Sequence, residues 1–294
     1  MKSRALLLAL SLLAAGRPAA FDWPVKKVVL SATFGENRGD HFHAGIDLAG
    51  GEQEVLPIAA GEVVFSFEEG EDPVTLPIGL GNFLVLQHQG GIRSIYGHLQ
   101  KGSMDRSARQ LDGSKPLGRV GESGYAVGKH LHLAIIDSEM RSLINPLLVL
   151  PPLKDRQSPA IREILLRPGG EPLLIRNGAL VKPGIAELAA TVYDLREDVS
   201  FAWRLAPYRA SLYQDGRELA SLLMDGLHEG PAGSGGPQLV LLQSNRSFRE
   251  VYDAEWLYRL GEVRLIPGQT TLSVIAEDYA GNESSRELLL QVAQ

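Results

Sequence analysis

The amino-acid sequence predicts a mainly β protein of two domains, and three observations carry that prediction. Residues 25–150 consist of short runs in which Val, Ile, Phe and Tyr alternate with polar residues, punctuated by glycine. Residues beyond 160 continue in the same style at regular spacing, with Asn177-Gly178 and Asp215-Gly216 as turn signals. Between them lies "LPPLKDRQSPA" (150–160), rich in proline and charge, which marks a domain boundary. A chain of 294 residues is long enough for two cores of ordinary size.

The first residues, "MKSRALLLALSLLAAGRPAA", join a Lys/Arg start to an apolar run from Ala5 to Ala15 and then to small residues. That run is too short to cross a bilayer, so residues 1–20 read as a secretory signal peptide. Cleavage after Ala20 leaves Pro18 at the third position back, whereas cleavage after Gly16 uses Ala14 and Gly16. Export to the periplasm or cell envelope is expected, with no membrane span after signal removal.

The first domain is expected over 21–152. Its strands are "KKVVLSA", "GEVVFSF", "NFLVLQH", "IRSIYGHL" and "KHLHLAII", and no stretch sustains a 3.6-residue period. They predict an antiparallel sheet with long loops. One loop, "EEGEDPVTLPIGLG" (68–81), holds four acids in five residues and reads as a solvated face.

The second domain, 153–294, takes "AIREILLR", "EPLLIRNG", "AELAATVYDL", "ASLYQDGRELA", "REVYDAEWLYRL" and "TLSVIAEDYAGNESSRELLLQVA" as strand-like runs, which suggests a β-sandwich. "GPAGSGGP" (230–237) reads as a flexible loop. The ending, a strand leading into "DYAGN" and then a last strand, resembles bacterial immunoglobulin-like modules.

Composition narrows the function. A formal net charge of −6 argues against nucleic acid or an anionic membrane surface as partner. Residues 156–294 carry 14 Lys/Arg against 18 Asp/Glu, so the second domain advertises no basic wall-binding face. It leaves room for a protein partner. With no cysteine there is no lipidation site, disulfide, thiolate ligand or cysteine nucleophile. "GESGY" (121–125) has Tyr125 where a serine nucleophile elbow needs glycine, "GLGNFL" does not complete a dinucleotide fingerprint, and no P-loop is present.

Histidine is the informative residue. Five of the seven lie in "HFHAGIDLAG" (41–50), "YGHL" (96–99) and "GKHLHLAI" (128–135). Side chains alternate along a strand, so His130 and His132 share one side while Leu131, Leu133 and Ile135 face a core. His43 and Asp47 are also evenly spaced, and Gly45 between them permits backbone bending. Two imidazoles and a carboxylate suit Zn²⁺, and three protein ligands with a fourth position open define a catalytic site. Each motif alone is weak; an H-x-H on a strand is more often structural.

Together and in this order, "HAGID", "GNFLVLQHQGG", "YGHL" and "GKHLHL" resemble the lysostaphin-like, or LytM-type, zinc endopeptidases of peptidoglycan, the M23 peptidases. The resemblance runs from about Phe34 to Pro146. It implies one zinc per chain held by His43, Asp47 and His132, with His98 and His130 as catalytic histidines. It also implies a zinc-activated water acting on cell-wall peptides. Zinc lowers the pKa of bound water and polarises the scissile carbonyl, while two histidines can move protons or bind the oxyanion. Leu133 and Ala134 stand where the family often has Phe and Glu, and "GK" replaces Gly-Pro before the last motif. An alternative is a non-catalytic envelope regulator that activates another wall hydrolase with the same fold; the intact histidine set argues against it. D-alanyl–diaminopimelate cross-links are favoured over glycine bridges as the bond cut.

The remaining polar residues have plainer readings. Tyr96 is expected in the core or at the rim rather than on an oxyanion, His41 outside any rim or metal-supporting role, His88 in a structural turn and His228 on the surface. Asn37 in "FGENRGD" resembles the asparagine that blocks zinc in latent family members, but the N-terminus left after signal removal is short for self-inhibition.

Overall fold

The computed structural model describes residues 21–70, 79–197, 203–231 and 238–294. The signal peptide, most of the acidic loop (71–78) and most of the glycine-rich stretch (232–237) lie outside the described residues. The chain divides into two compact units. One contains the residues up to Phe34 and Ala44–Leu153, the other Gly35–His43 and Lys154–Gln294.

The first unit is built on an antiparallel sheet ordered Ser142–Ile144, His130–Asp137, Ile92–Gly97, Phe83–Gln87, Gly61–Phe67 and Gln110–Leu111. Ile46–Ala49 pairs with the opening half of His130–Asp137 and carries Val29–Ala32 on its far edge. All five expected runs contain a strand. Ile46–Ala49 and the two-residue strands Glu54–Val55 and Gly118–Arg119 had no alternating run long enough to announce them.

The strand His130–Asp137 is covered on both faces. Leu131, Leu133 and Ile135 are fully buried as the alternation requires, and His132 and Ala134 are buried on the opposite side. A polar network runs through the core beside it. The Ile58 amide donates to the Tyr96 hydroxyl (2.8 Å), and Ser94 Oγ bridges Tyr96 Oη (2.9 Å) and His88 Nε2 (2.7 Å). A buried hydroxyl without such partners would cost roughly 1–3 kcal/mol, so these residues specify packing as a set.

The second unit contains two five-stranded sheets. One is ordered Leu173–Leu174, Ala160–Pro168, Gly184–Tyr193, Leu257–Leu265, Tyr252–Ala254; the other Leu180–Val181, Glu283–Val292, Gly268–Glu277, Arg209–Gln214, Arg217–Leu223. Pairing is antiparallel except between Leu180–Val181 and Glu283–Val292. The Asp215-Gly216 turn behaves as its residues demand, with φ of 50° and 78°, the left-handed pair of a tight hairpin. The Gln214 amide group bonds both the N and the O of Arg264, tying one sheet to the other (3.2 and 2.8 Å).

The run "REVYDAEWLYRL" departs from expectation by opening in a helical turn, Phe248–Val251, before its strands begin. The Ser247 amide donates to Glu250 Oε2 (2.7 Å), a Ser-x-x-Glu start that outweighs local β propensity.

Residues 35–43 fold as part of this second unit. Phe42, 1% exposed, meets Phe248 edge-on at 5.5 Å, and the Tyr252 hydroxyl donates to the Gly35 carbonyl at 2.7 Å. Among the described residues no helix is long and apolar enough to cross a membrane.

Candidate metal and catalytic site

Strand register assembles the site. Asp47 is the direct cross-strand partner of His132 on one side, and Gly97 is its partner on the other. Direct partners bring side chains within about 5 Å, so pairing alone delivers a carboxylate to an imidazole. His132 Nδ1 lies 3.0 Å from Asp47 Oδ1. His130, two residues earlier on the same strand, directs Nε2 to 3.9 Å from the same oxygen. His98 follows Gly97 where the strand leaves the sheet, and its ring sits 4.7 Å from His130 and 6.0 Å from His132.

His43 arrives differently. It lies outside the strand Ile46–Ala49, so the even spacing to Asp47 does not place the two on one strand face. Its backbone is braced at both ends, the amide donating to the Glu36 carbonyl and the carbonyl accepting from Gly35 N, each at 2.8 Å. His43, Asp47 and His132 each offer one ligand atom, and these atoms lie within 4.8 Å of one another.

Gly45 has a different reason from backbone bending, because its φ is not in the left-handed region. A Cβ there would stand 2.5 Å from the Leu133 carbonyl oxygen and 2.7 Å from the His132 ring. The glycine is required by how closely His132 approaches the chain.

The two remaining histidines have their tautomers set by the backbone. His98 Nδ1 faces the Ser123 carbonyl at 2.8 Å, and His130 Nδ1 faces that of Gly128 at 2.8 Å. A carbonyl only accepts, so each Nδ1 carries a proton, and the neutral form of either ring has its lone pair on Nε2. Burial pushes the His98 pKa down to about 4; the Ser123 carbonyl opposes that shift, and His130 and His132 reinforce it. His98 is therefore neutral at pH 7. His98 also has φ of 59°, a left-handed conformation that costs a non-glycine residue on the order of 1–2 kcal/mol.

The donor set fits a divalent metal of zinc type. Two imidazoles and one carboxylate converge, all buried (5%, 9% and 8% exposed for His43, Asp47 and His132). A carboxylate taken this far out of water calls for a cationic partner.

The other polar candidates lie apart. Tyr96 is a core residue and His88 a buried structural one, its Nδ1 on the Ala60 carbonyl at 2.9 Å. His41 is exposed beside Asp40, and His228 contacts Asn245 Oδ1 at 2.8 Å. The Asn37 side chain accepts from Gly39 N (2.7 Å) and donates to the Ala254 carbonyl (3.3 Å), bonds that serve its own turn and the second unit. Sequence reasoning missed Ser123, whose carbonyl meets His98 Nδ1, and Asn82, whose amide meets Ser123 Oγ. Their signals were "GLGNFL" and "GESGY", stretches weighed only as motifs of other enzyme classes.

Fold and site together define a β-sheet domain that gathers histidines and a carboxylate at one place. The model of peptidase family M23 matches residues 41–146, the stretch whose motifs resemble the LytM-type peptidases. A second family model matches residues 158–293. The DD-carboxypeptidase/endopeptidase Mpg of Neisseria meningitidis serogroup B is 30% identical over 91 residues, 31% of this chain and 19% of that relative. The chain thus spans about a fifth of that relative's length.

Among solved structures, a zinc-containing peptidase from Vibrio cholerae is similar at 24% identity and a TM-score of 0.34, covering 40% of this chain and 36% of that one. The catalytic domain of lysostaphin from Staphylococcus simulans is similar at 20% identity and a TM-score of 0.32, covering 38% and 81%.

Proposed function

We propose that this chain is an exported zinc metalloendopeptidase that hydrolyses peptide bonds in peptidoglycan, in cross-links or stem peptides. His43, Asp47 and His132 hold the zinc, and His98 and His130 are the catalytic histidines. The observation that carries the reading is a buried His-Asp-His group beside two further histidines whose Nδ1 protons are held on backbone carbonyls.

A zinc ion bound there supplies Lewis-acid chemistry, activating water and polarising a carbonyl. The protein's own residues do the rest. His98 and His130, with lone pairs on Nε2, accept a proton or hydrogen-bond the developing oxyanion once protonated. Burial keeps His98 neutral at working pH, as a proton acceptor must be. Beside His98, a groove of about 490 Å³ passes Gly121 and Ser123 and carries Glu52, Glu122, Lys101 and Lys129 on its walls. A stem peptide bears both carboxylates and an ammonium, and such mixed walls suit it.

The two tied sheets of the second unit support an immunoglobulin-like sandwich, whose part is docking or restriction of access. The test is zinc analysis of the purified protein, then digestion of defined sacculi with mass spectrometry of the products. Stoichiometric zinc and chelator-sensitive release of cleaved peptides are expected. Zinc without cleavage of any muropeptide would sink the enzymatic reading in favour of a regulator.

A further inference from the structure

We infer that Asn82 and Ser123 are positioning residues that hold His98 in its working tautomer and orientation. This rests on the catalytic role proposed for His98. The His98 ring is oriented by one bond, from Nδ1 to the Ser123 carbonyl at 2.8 Å. That carbonyl belongs to a turn that is itself fixed by the Ser123 side chain. Ser123 Oγ accepts from the Asn82 amide (2.8 Å) and donates to the Leu99 carbonyl (2.9 Å). Asn82 closes the ring: its Nδ2 donates to the same Leu99 carbonyl (3.0 Å), and its own carbonyl accepts from Leu99 N (2.9 Å). Its Oδ1 accepts from Glu69 N at 2.7 Å.

Asn82 is 1% exposed and engages both halves of its amide, a pattern neither Leu nor Asp reproduces. An Asp would turn an acceptor toward the Leu99 carbonyl. The two turns also touch through backbone. A Cβ on Gly81 would stand 2.3 Å from the Ser123 carbonyl carbon, and one on Gly124 would stand 2.3 Å from Gly81 N.

The purpose of such bracing is legible in His98 itself. Its left-handed φ of 59° is strained, and a strained residue stays put only when its surroundings over-determine it. The bonds from Asn82 and Ser123 to Leu99, with the His98 amide on the Leu80 carbonyl (2.8 Å), do so on both sides of the residue. The Gly-Glu-Ser-Gly stretch that fails as a nucleophile elbow thus serves to orient a histidine.

The test compares Ser123→Ala, Ser123→Thr, Asn82→Asp and His98→Ala in the full chain. Three readouts are taken: zinc content, kcat and KM on a muropeptide, and ¹⁵N resonances of histidine-labelled protein, which report each ring's tautomer. His98→Ala assigns the His98 signals. Ser123→Ala is expected to keep zinc and KM, lose roughly 10–100-fold in kcat, and turn the single Nδ1–H signature of His98 into a mixture. Ser123→Thr, which retains Oγ, restores both. Should Asn82→Asp fail to fold, the serine pair still decides. Parent-like kcat and tautomer in Ser123→Ala, while His98→Ala is inactive, would overturn the positioning role and leave the catalytic one intact. An active His98→Ala would instead remove the catalytic role on which the inference stands.

Discussion

Asp194 sets up a pH dependence in the second unit that one substitution should expose. It is 4% exposed, and its carboxylate accepts the amide of its neighbour Leu195 at 2.9 Å. Asp155 and Asp278 lie with it in one group whose oxygens fall within 4.8 Å of one another. Those two are better served. Asp155 meets Arg196 at 3.3 Å, and Asp278 receives the amides of Ala280 and Asn282 and the Asn282 side chain at 2.7–2.8 Å.

Desolvation, then the charges of Asp278 and Asp155, push the Asp194 carboxyl up to about 7. The folded state therefore binds this proton more tightly than the unfolded chain, where the value is near ~3.9. The favourable contribution is fully present below about pH 4 and is lost as pH rises through about 7. The whole difference in proton affinity is worth roughly 4 kcal/mol, of which about 2–3 kcal/mol is lost between about pH 5 and pH 8.

Asp194→Asn keeps the acceptor for Leu195 and removes the charge. The assay is urea unfolding with chelator present, in a Trp23→Phe background so that fluorescence comes from Trp203 and Trp256, both in the second unit. The variant should gain on the parent by roughly 2–3 kcal/mol on going from about pH 5 to pH 8. A variant-minus-parent difference that is the same at both pH values would refute the reasoning.

Other outcomes follow from the site. Asp47→Ala leaves two of the three proposed ligands and should emerge from purification strongly depleted of zinc; stoichiometric metal would break the ligand assignment. His98→Ala and His130→Ala should keep zinc and lose ~10²–10⁴-fold in turnover, and loss of metal from both would make them ligands. Gly45→Ala forces a Cβ against the His132 ring and the Leu133 carbonyl, so zinc affinity and melting temperature should both fall; parent-like binding would show that the close approach relaxes freely. Phe248→Ala removes the edge-on partner of Phe42 and should weaken zinc binding measured by chelator competition, since His43 is the next residue. Unchanged affinity would mean that His43 holds its place without the Phe42–Phe248 contact.

How much of this the sequence made legible depends on which interactions are local. The strands Gly61–Phe67, Ile92–Gly97 and His130–Asp137 could be read because alternation is a property of one segment. The histidines that the structure brings together could be singled out because few residue types serve metal and proton chemistry. Their neighbours could not. Asn82 and Ser123 matter through bonds to each other and to Leu99 across loops, and no single-segment pattern marks such a ring.

Parity also misled where it was applied beyond its range. His130 and His132 do share a strand, whereas His43 and Asp47 do not, and what joins them is a chain path past Gly45. The domain boundary teaches the same point from the other side. A proline-rich stretch near 150–160 marks where the chain passes from one unit to the next. Residues 35–43 nevertheless pack with the later unit through Phe42, Gly35 and Asn37, more than 200 positions from Phe248, Tyr252 and Ala254. Composition cannot signal a contact whose partners are that distant. Residues 35–43, which the sequence places in the first domain, thus carry His43 on a stretch that packs within the second unit. For that reason substitutions at Phe248 or Tyr252, remote in sequence from every histidine of the site, belong in any test of the metal binding proposed for His43.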